Sequence, residues 1–129
     1  MADLNQKFND LNNTPDTTSQ FDPNDIEQNK VMGILAYISW LVLIPIFAAK
    51  ESKFARFHAN QGIVLAIAEL IAAVVLSILS DIPLIGWIFS IVSSLLGLVC
   101  FVMAVIGILN AANGKAKELP IVGSFRILK

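Results

Sequence analysis

Three polar residues interrupt the apolar body of this chain at a spacing that could do chemistry: His58, Gln61 and Glu69. At 100° per residue, His58, Gln61, Leu65 and Glu69 fall within one stripe of a helix. An acidic side chain near the centre of a membrane span costs about 2.5–3.5 kcal/mol on insertion scales, so it faces protein or water and often marks a function. One reading is a polar path in which Glu69 binds a proton or a cation. The other is a protonated Glu69 that hydrogen-bonds a serine or a backbone carbonyl and locks helices together. His58 is the only histidine and Cys100 the only cysteine. Neither has acidic partners at metal-ligand spacing, so His58 reads as an interfacial hydrogen-bonding residue. With no nucleophile–base pair, paired carboxylates or phosphate loop, we expect no catalytic residue, cofactor, metal or nucleic-acid partner.

The elements that must carry this stripe are membrane helices. Of 129 residues, 56% are hydrophobic and 15% charged, with a mean hydropathy of +0.71, whereas soluble domains run nearer a quarter charged. The apolar residues concentrate between Val31 and Leu109. These runs show neither the polar face of a soluble helix nor the alternation of barrel strands. About 20 apolar residues cross a hydrocarbon core of about 30 Å. The expectation is an all-α membrane protein, a three-helix transmembrane bundle with spans near 31–49, 60–79 and 87–109. Ala59, Ala66, Ala73 and Ser77 on the second span, and Ser90, Ser93, Ser94, Gly97, Ala104 and Ala111 on the third, offer small faces for close packing.

The flanks read differently. Residues 1–22 form an acidic, polar tail expected to be disordered, without the basic start of a secretory signal or the Arg-rich composition of a transit peptide. A bacterial membrane is the expected host. Asp22 and Ser52 are candidate N-caps, and Asn113-Gly114 a candidate C-cap. Residues 50–59 form a basic collar in which Lys50, Lys53 and Arg56 reach anionic headgroups while Phe54 and Phe57 lie in the interface. Trp87 is a second interfacial anchor. Residues 115–129, with Lys115 and Lys117, are expected to lie along the membrane surface as a basic tail.

Three spans place the collar and the C-terminus on one side of the membrane and the N-terminus on the other. Seven of the nine Lys and Arg lie in the collar and the C-terminal tail. The positive-inside rule makes that side cytoplasmic and the N-terminus external.

Lys53-Phe54-Ala55-Arg56-Phe57-His58-Ala59-Asn60-Gln61, with Asn110-Ala111-Ala112-Asn113-Gly114-Lys115 and Leu119-Pro120-Ile121-Val122-Gly123, resembles a family hallmark. It is similar to small bacterial membrane proteins of unknown function related to the membrane subunit of the chloroplast inner-envelope import translocon. The resemblance covers about residues 25–129. It implies an integral membrane protein without assigned activity; plastid members are proposed channel subunits with four spans, against three expected here. No catalytic residue is carried over.

Three functions follow as expectations. The first is a structural or accessory subunit of a membrane complex, held by self-association or a membrane protein partner, with a link to protein translocation through the resemblance. The second is an oligomeric pore or ion-coupled carrier using Glu69. The third is an immunity-type membrane protein, which fits the size and no specific residue.

Overall fold

The computed structural model describes residues 14–128, except the side chain of Ser39; residues 1–13 of the expected acidic tail lie outside the described residues. Four α-helices follow one another: α1 (Pro23–Leu35), α2 (Leu43–Ala48), α3 (Lys53–Ser80) and α4 (Gly86–Ala112). Single 3₁₀ turns, Thr18–Gln20 and Ser39–Val42, precede α1 and α2. There is no strand among the described residues, only an isolated antiparallel bridge between Asp16 and Lys117.

The expected caps form. Asn24 N donates to the Asp22 carboxylate at 2.9 Å, with Pro23 in the first helical position. Ala55 N donates to Ser52 Oγ at 3.0 Å and opens α3. At the end of α4, Gly114 takes φ +70°, Gly114 N bonds Ala111 O, and Lys115 N bonds Asn110 O at 2.8 Å. That pair of bonds is a Schellman turn, which a glycine in the left-handed region permits without Cβ strain.

Helices α3 and α4 are long and apolar enough to cross a membrane, and they contain the expected spans 60–79 and 87–109. A helix of 28 residues is about 42 Å long. Only 22% of the most apolar stretch of α3 and 17% of that of α4 is buried. Their surfaces therefore face outward, unlike the core helix of a soluble protein. The two pack as an antiparallel hairpin through the turn at 81–85. Between Ala66 and Phe101 large apolar side chains such as Leu70, Ile71, Leu95 and Leu98 are exposed. Towards the opposite end, Phe54, Leu65, Met103 and Ile106 are buried by the rest of the chain.

The expected first span is not one helix. The segment 31–49 comprises the end of α1, a break at 36–38, the 3₁₀ turn and the six-residue α2, which contains Pro45. Its path is a return. Asp25, in the first turn of α1, accepts Phe54 N at 2.9 Å beside the start of α3. Ala36 O lies so close to Gly62 that a Cβ there would approach within 1.8 Å. After α2 the chain is back at the Ser52 cap. Hydropathy gave this segment the signature of a span because it reads apolarity and not direction. Non-helical backbone is tolerated in apolar surroundings where protein covers it, and Ala36, Tyr37 and Val42 are buried in the main core.

The termini also depart from expectation. Thr17 N donates to Ala116 O at 3.0 Å, Glu118 N to Pro15 O at 3.2 Å, and Ala116 N to Thr18 Oγ1 at 2.9 Å. From Thr14 onward the acidic tail is thus paired with the C-terminal segment. Residues 14–22 and 115–128 share the end of the hairpin that carries the collar, whereas the expected topology put the N-terminal tail and the C-terminal segment on opposite sides. The C-terminal segment itself does not lie apart along a surface. It folds back against the first three turns of α3.

Candidate functional site

The hallmark residues of α3 converge on the C-terminal segment. His58 is fully buried, and its two ring nitrogens meet Tyr37 Oη at 2.6 Å through Nδ1 and Lys115 O at 2.9 Å through Nε2. A carbonyl only accepts, so Nε2 carries the proton and Nδ1 accepts from the tyrosine hydroxyl. Gln61 is buried three residues on. Its Nε2 donates to Gly123 O at 3.0 Å and its Oε1 accepts Leu119 N at 2.9 Å. Asn60 completes the set: Nδ2 donates to Phe125 O at 2.8 Å, and Oδ1 accepts the amides of Ile127 at 2.6 Å and Leu128 at 2.9 Å.

His58, Asn60 and Gln61 therefore grip residues 115, 119, 123, 125, 127 and 128, in effect the whole C-terminal segment. Each buried polar side-chain atom among the described residues has a partner. This satisfaction has a physical cause. An irregular segment presents backbone amides and carbonyls that cannot go unpaired against an apolar body, and side-chain amides supply donor and acceptor together. The Schellman turn aims Lys115 O at His58, and the left-handed Ile121 (φ 69°) turns the chain between the two residues that Gln61 holds.

The aromatic residues belong to the same body. Phe54, expected in the lipid interface, is instead fully buried with Ile26 and Ala116. Its ring sits edge-on to His58 at 4.7 Å between centroids. Phe57 is half-buried, edge-on to Phe21 at 5.7 Å and beneath the Arg126 guanidinium at 5.9 Å. Trp87 is exposed near the turn end of the hairpin, its Nε1 donating to Leu84 O at 3.0 Å. Lys50, Lys53 and Lys115 are exposed, while Arg56 and Lys117 are half-buried. Asp16, bridged to Lys117, is held below the ordinary carboxylate range by the Thr18 hydroxyl, with Lys117 and Lys115 adding to the effect against partial desolvation.

Glu69 does not join His58 and Gln61. It is exposed, one turn beyond Leu65, where the buried stretch of α3 at the collar end stops. It borders open crevices between the hairpin helices, one lined also by Tyr37, Gly62, Gly97 and Ala104, another by Ala73, Ser93, Gly97 and Cys100. The expected single polar stripe is therefore two sites, because α1 and the returning segment bury the helix only as far as Leu65. Among the described residues, no three His, Cys, Asp or Glu side chains gather as a metal site.

Sequence reasoning gave Tyr37, Asn60, Asn110 and Arg126 no individual role, although Asn60 and Asn110 stand in the hallmark motifs and Arg126 in the basic tail. Asn60 and Asn110 carried a signal. Both are amides inside apolar helices, where burial demands a partner.

The model of the magnetosome magnetite crystal formation protein family matches residues 28–128. The chain is 32% identical over 96 residues to magnetosome protein MamF of Paramagnetospirillum magneticum, covering 74% of this chain and 79% of that protein. It is 30% identical over 93 residues to magnetosome protein MmsF of the same organism, covering 71% and 79%. A UPF0132 membrane protein of Methanocaldococcus jannaschii is 30% identical over 93 residues, 70% of this chain and 62% of the archaeal protein. No solved structure matches.

Proposed function

The chain belongs to the magnetosome magnetite crystal formation protein family, and from that membership we propose that it is a non-enzymatic accessory protein of a membrane assembly. In this reading α3 and α4 cross the bilayer, and the segment 31–49 enters and leaves on the collar side as a re-entrant element. Both termini share that side. The cations Lys50, Lys53, Arg56, Lys115, Lys117 and Arg126 make it the cytoplasmic face. Relatives in a bacterium and an archaeon, named as magnetosome or membrane proteins, support the membrane setting. They give no support to a part in protein translocation.

The observation that carries the reading is the exposure of Glu69 on a bare apolar hairpin. An ionisable group at that depth is costly in lipid, and Ser93 and Gly97 beside it are small enough for another helix to approach closely. Lateral association covers Glu69; the clamp at the other end keeps the hairpin's base rigid. A photocrosslinking residue at position 93, in the chain expressed in its native membrane, tests this. A discrete adduct with a membrane helix, another copy or a different protein, is expected at a stoichiometric level. Adducts with lipid alone and a monodisperse monomer after mild extraction overturn it.

The carrier reading retains one favouring observation, the open crevices at Glu69. They face the outside of the hairpin, so a path would need several copies around them. Flux through liposomes holding the purified chain, lost in Glu69→Ala, is its expected signature, and silent liposomes end it.

A further inference from the structure

The C-terminal segment brings a fourth cation to the collar. A cleft of about 530 Å³ opens beside the first two turns of α3, lined by Lys50, Lys53, Arg56 and Arg126 among others, with Phe21, Phe57 and Leu128 as its apolar walls. Glu51 is the one carboxylate in the lining. Glu118 approaches from outside it and pairs with Arg126. Lys50 and Lys53 form no ion pair with the carboxylates of the described residues.

This gathering of like charge is built by the fold. Asn60 holds Phe125, Ile127 and Leu128 by their backbones, which fixes Arg126 between them. The Arg126 guanidinium then lies over Phe57 at 5.9 Å and lines the same cleft as Lys53 and Arg56. Lys50 and Lys53, which no described carboxylate pairs, add positive charge to the space beside Arg56 and Arg126, and like charges gathered there favour an anion between them. The position suits a lipid. The cleft lies at the collar end of the hairpin and its lining reaches along α3 to Asn60, and basic pockets at the headgroup level of a membrane take phosphate headgroups. Apolar walls beside the cations match a phosphodiester joined to glycerol and acyl chains, whereas a choline ammonium would meet repulsion.

We propose that this cleft binds the phosphate headgroup of an anionic phospholipid, held by Lys50, Lys53, Arg56 and Arg126 against the wall of Phe57 and Leu128. The shared chemistry with a free phosphate ester is the oxyanion; the apolar wall assigns the lipid as its source. The inference rests on the hairpin lying in a bilayer and is independent of what covers Glu69.

The test uses the full chain purified in neutral detergent, with phosphatidylglycerol, phosphatidylcholine or glycerol phosphate added and bound molecules counted by native mass spectrometry. One phosphatidylglycerol per chain is expected to be retained in preference to phosphatidylcholine. Lys53→Gln and Arg126→Gln are each expected to weaken retention about fivefold, while Lys115→Gln, outside the cleft, leaves it near the parent value. Lys53 is exposed and unpaired with the described carboxylates, so Lys53→Gln carries the test even if Arg126→Gln loosens the C-terminal segment. Equal retention of both lipids overturns the proposal. So does an equal loss in all three variants, which would mean diffuse attraction only. Saturation by glycerol phosphate at the same concentration as the lipid overturns the lipid assignment.

Discussion

Tyr37 Oη lies 2.6 Å from His58 Nδ1, joining the break after α1 to the buried face of α3. The contact is possible because Gly107 of α4 leaves room for the tyrosine ring, where a Cβ would come within 2.3 Å of it. One hydrogen bond thus ties the returning segment to a histidine whose other nitrogen holds the C-terminal segment. The clamp is one connected unit, and its members should respond together.

Tyr37→Phe removes the donor and leaves Nδ1 of His58 buried without a partner, a loss of about 1–3 kcal/mol. His58→Ala also opens a cavity and frees Lys115 O, and about 2–4 kcal/mol is expected. Thermal unfolding of the detergent-solubilised variants measures both losses. Because the two residues share a bond, the double variant should lose clearly less than the sum; strict additivity would break the proposed unit.

Gln61→Leu keeps the volume of the side chain while stripping both bonds to the C-terminal segment. The segment should then be cut by added protease near residues 119–126 well before the helices are. Asn60→Leu should act similarly from residue 125 onward. Equal resistance of parent and variants would show that the segment is held by its apolar contacts alone.

Gly62→Ala places a methyl group against Ala36 O, where the backbones already touch. The cost is that of overpacking, about 1–3 kcal/mol, and it falls on the returning segment. Hydrogen exchange should accelerate at 36–42 more than in α4. Uniform acceleration across the chain would point to a general weakening instead.

The returning path predicts that both termini face one compartment. In a Cys100→Ala background, single cysteines at Thr14 and Ser124 should react with a membrane-impermeant maleimide from the same side, and a cysteine at Ile82 from the other. Labelling of Thr14→Cys and Ser124→Cys from opposite sides would restore three crossings.

Asp16 gives the terminal pairing a pH dependence. Its folded carboxyl is held below the ordinary range, chiefly by the Thr18 hydroxyl. The ionised form therefore stabilises the docked segment above the unfolded pKa, and that stabilisation is lost as pH falls through the lowered folded value. Amide exchange at Thr17, bonded to Ala116 O, should quicken below about pH 4 relative to other amides, after correction for intrinsic rates. Asp16→Asn should abolish this difference.

Much of the architecture was legible in residue order alone. The runs within 53–80 and 86–112 are long, apolar and without a polar face, so their helices follow from backbone satisfaction in an apolar setting, whatever surrounds them. The caps at Asp22, Ser52 and Gly114 follow from local chemistry, which neighbouring residues decide. Tertiary structure decided the rest. Whether 31–49 crosses or returns depends on the meeting of Ala36 with Gly62 and of Tyr37 with Gly107, contacts between residues remote in sequence that no local pattern encodes. The same holds for His58 and Gln61. Helical spacing put them on one stripe with Glu69, but burial separates them, because the packing that buries α3 at the collar end gives out after Leu65. Their polar groups are consumed by Tyr37 and the C-terminal segment, while Glu69 lies exposed at the crevices between α3 and α4.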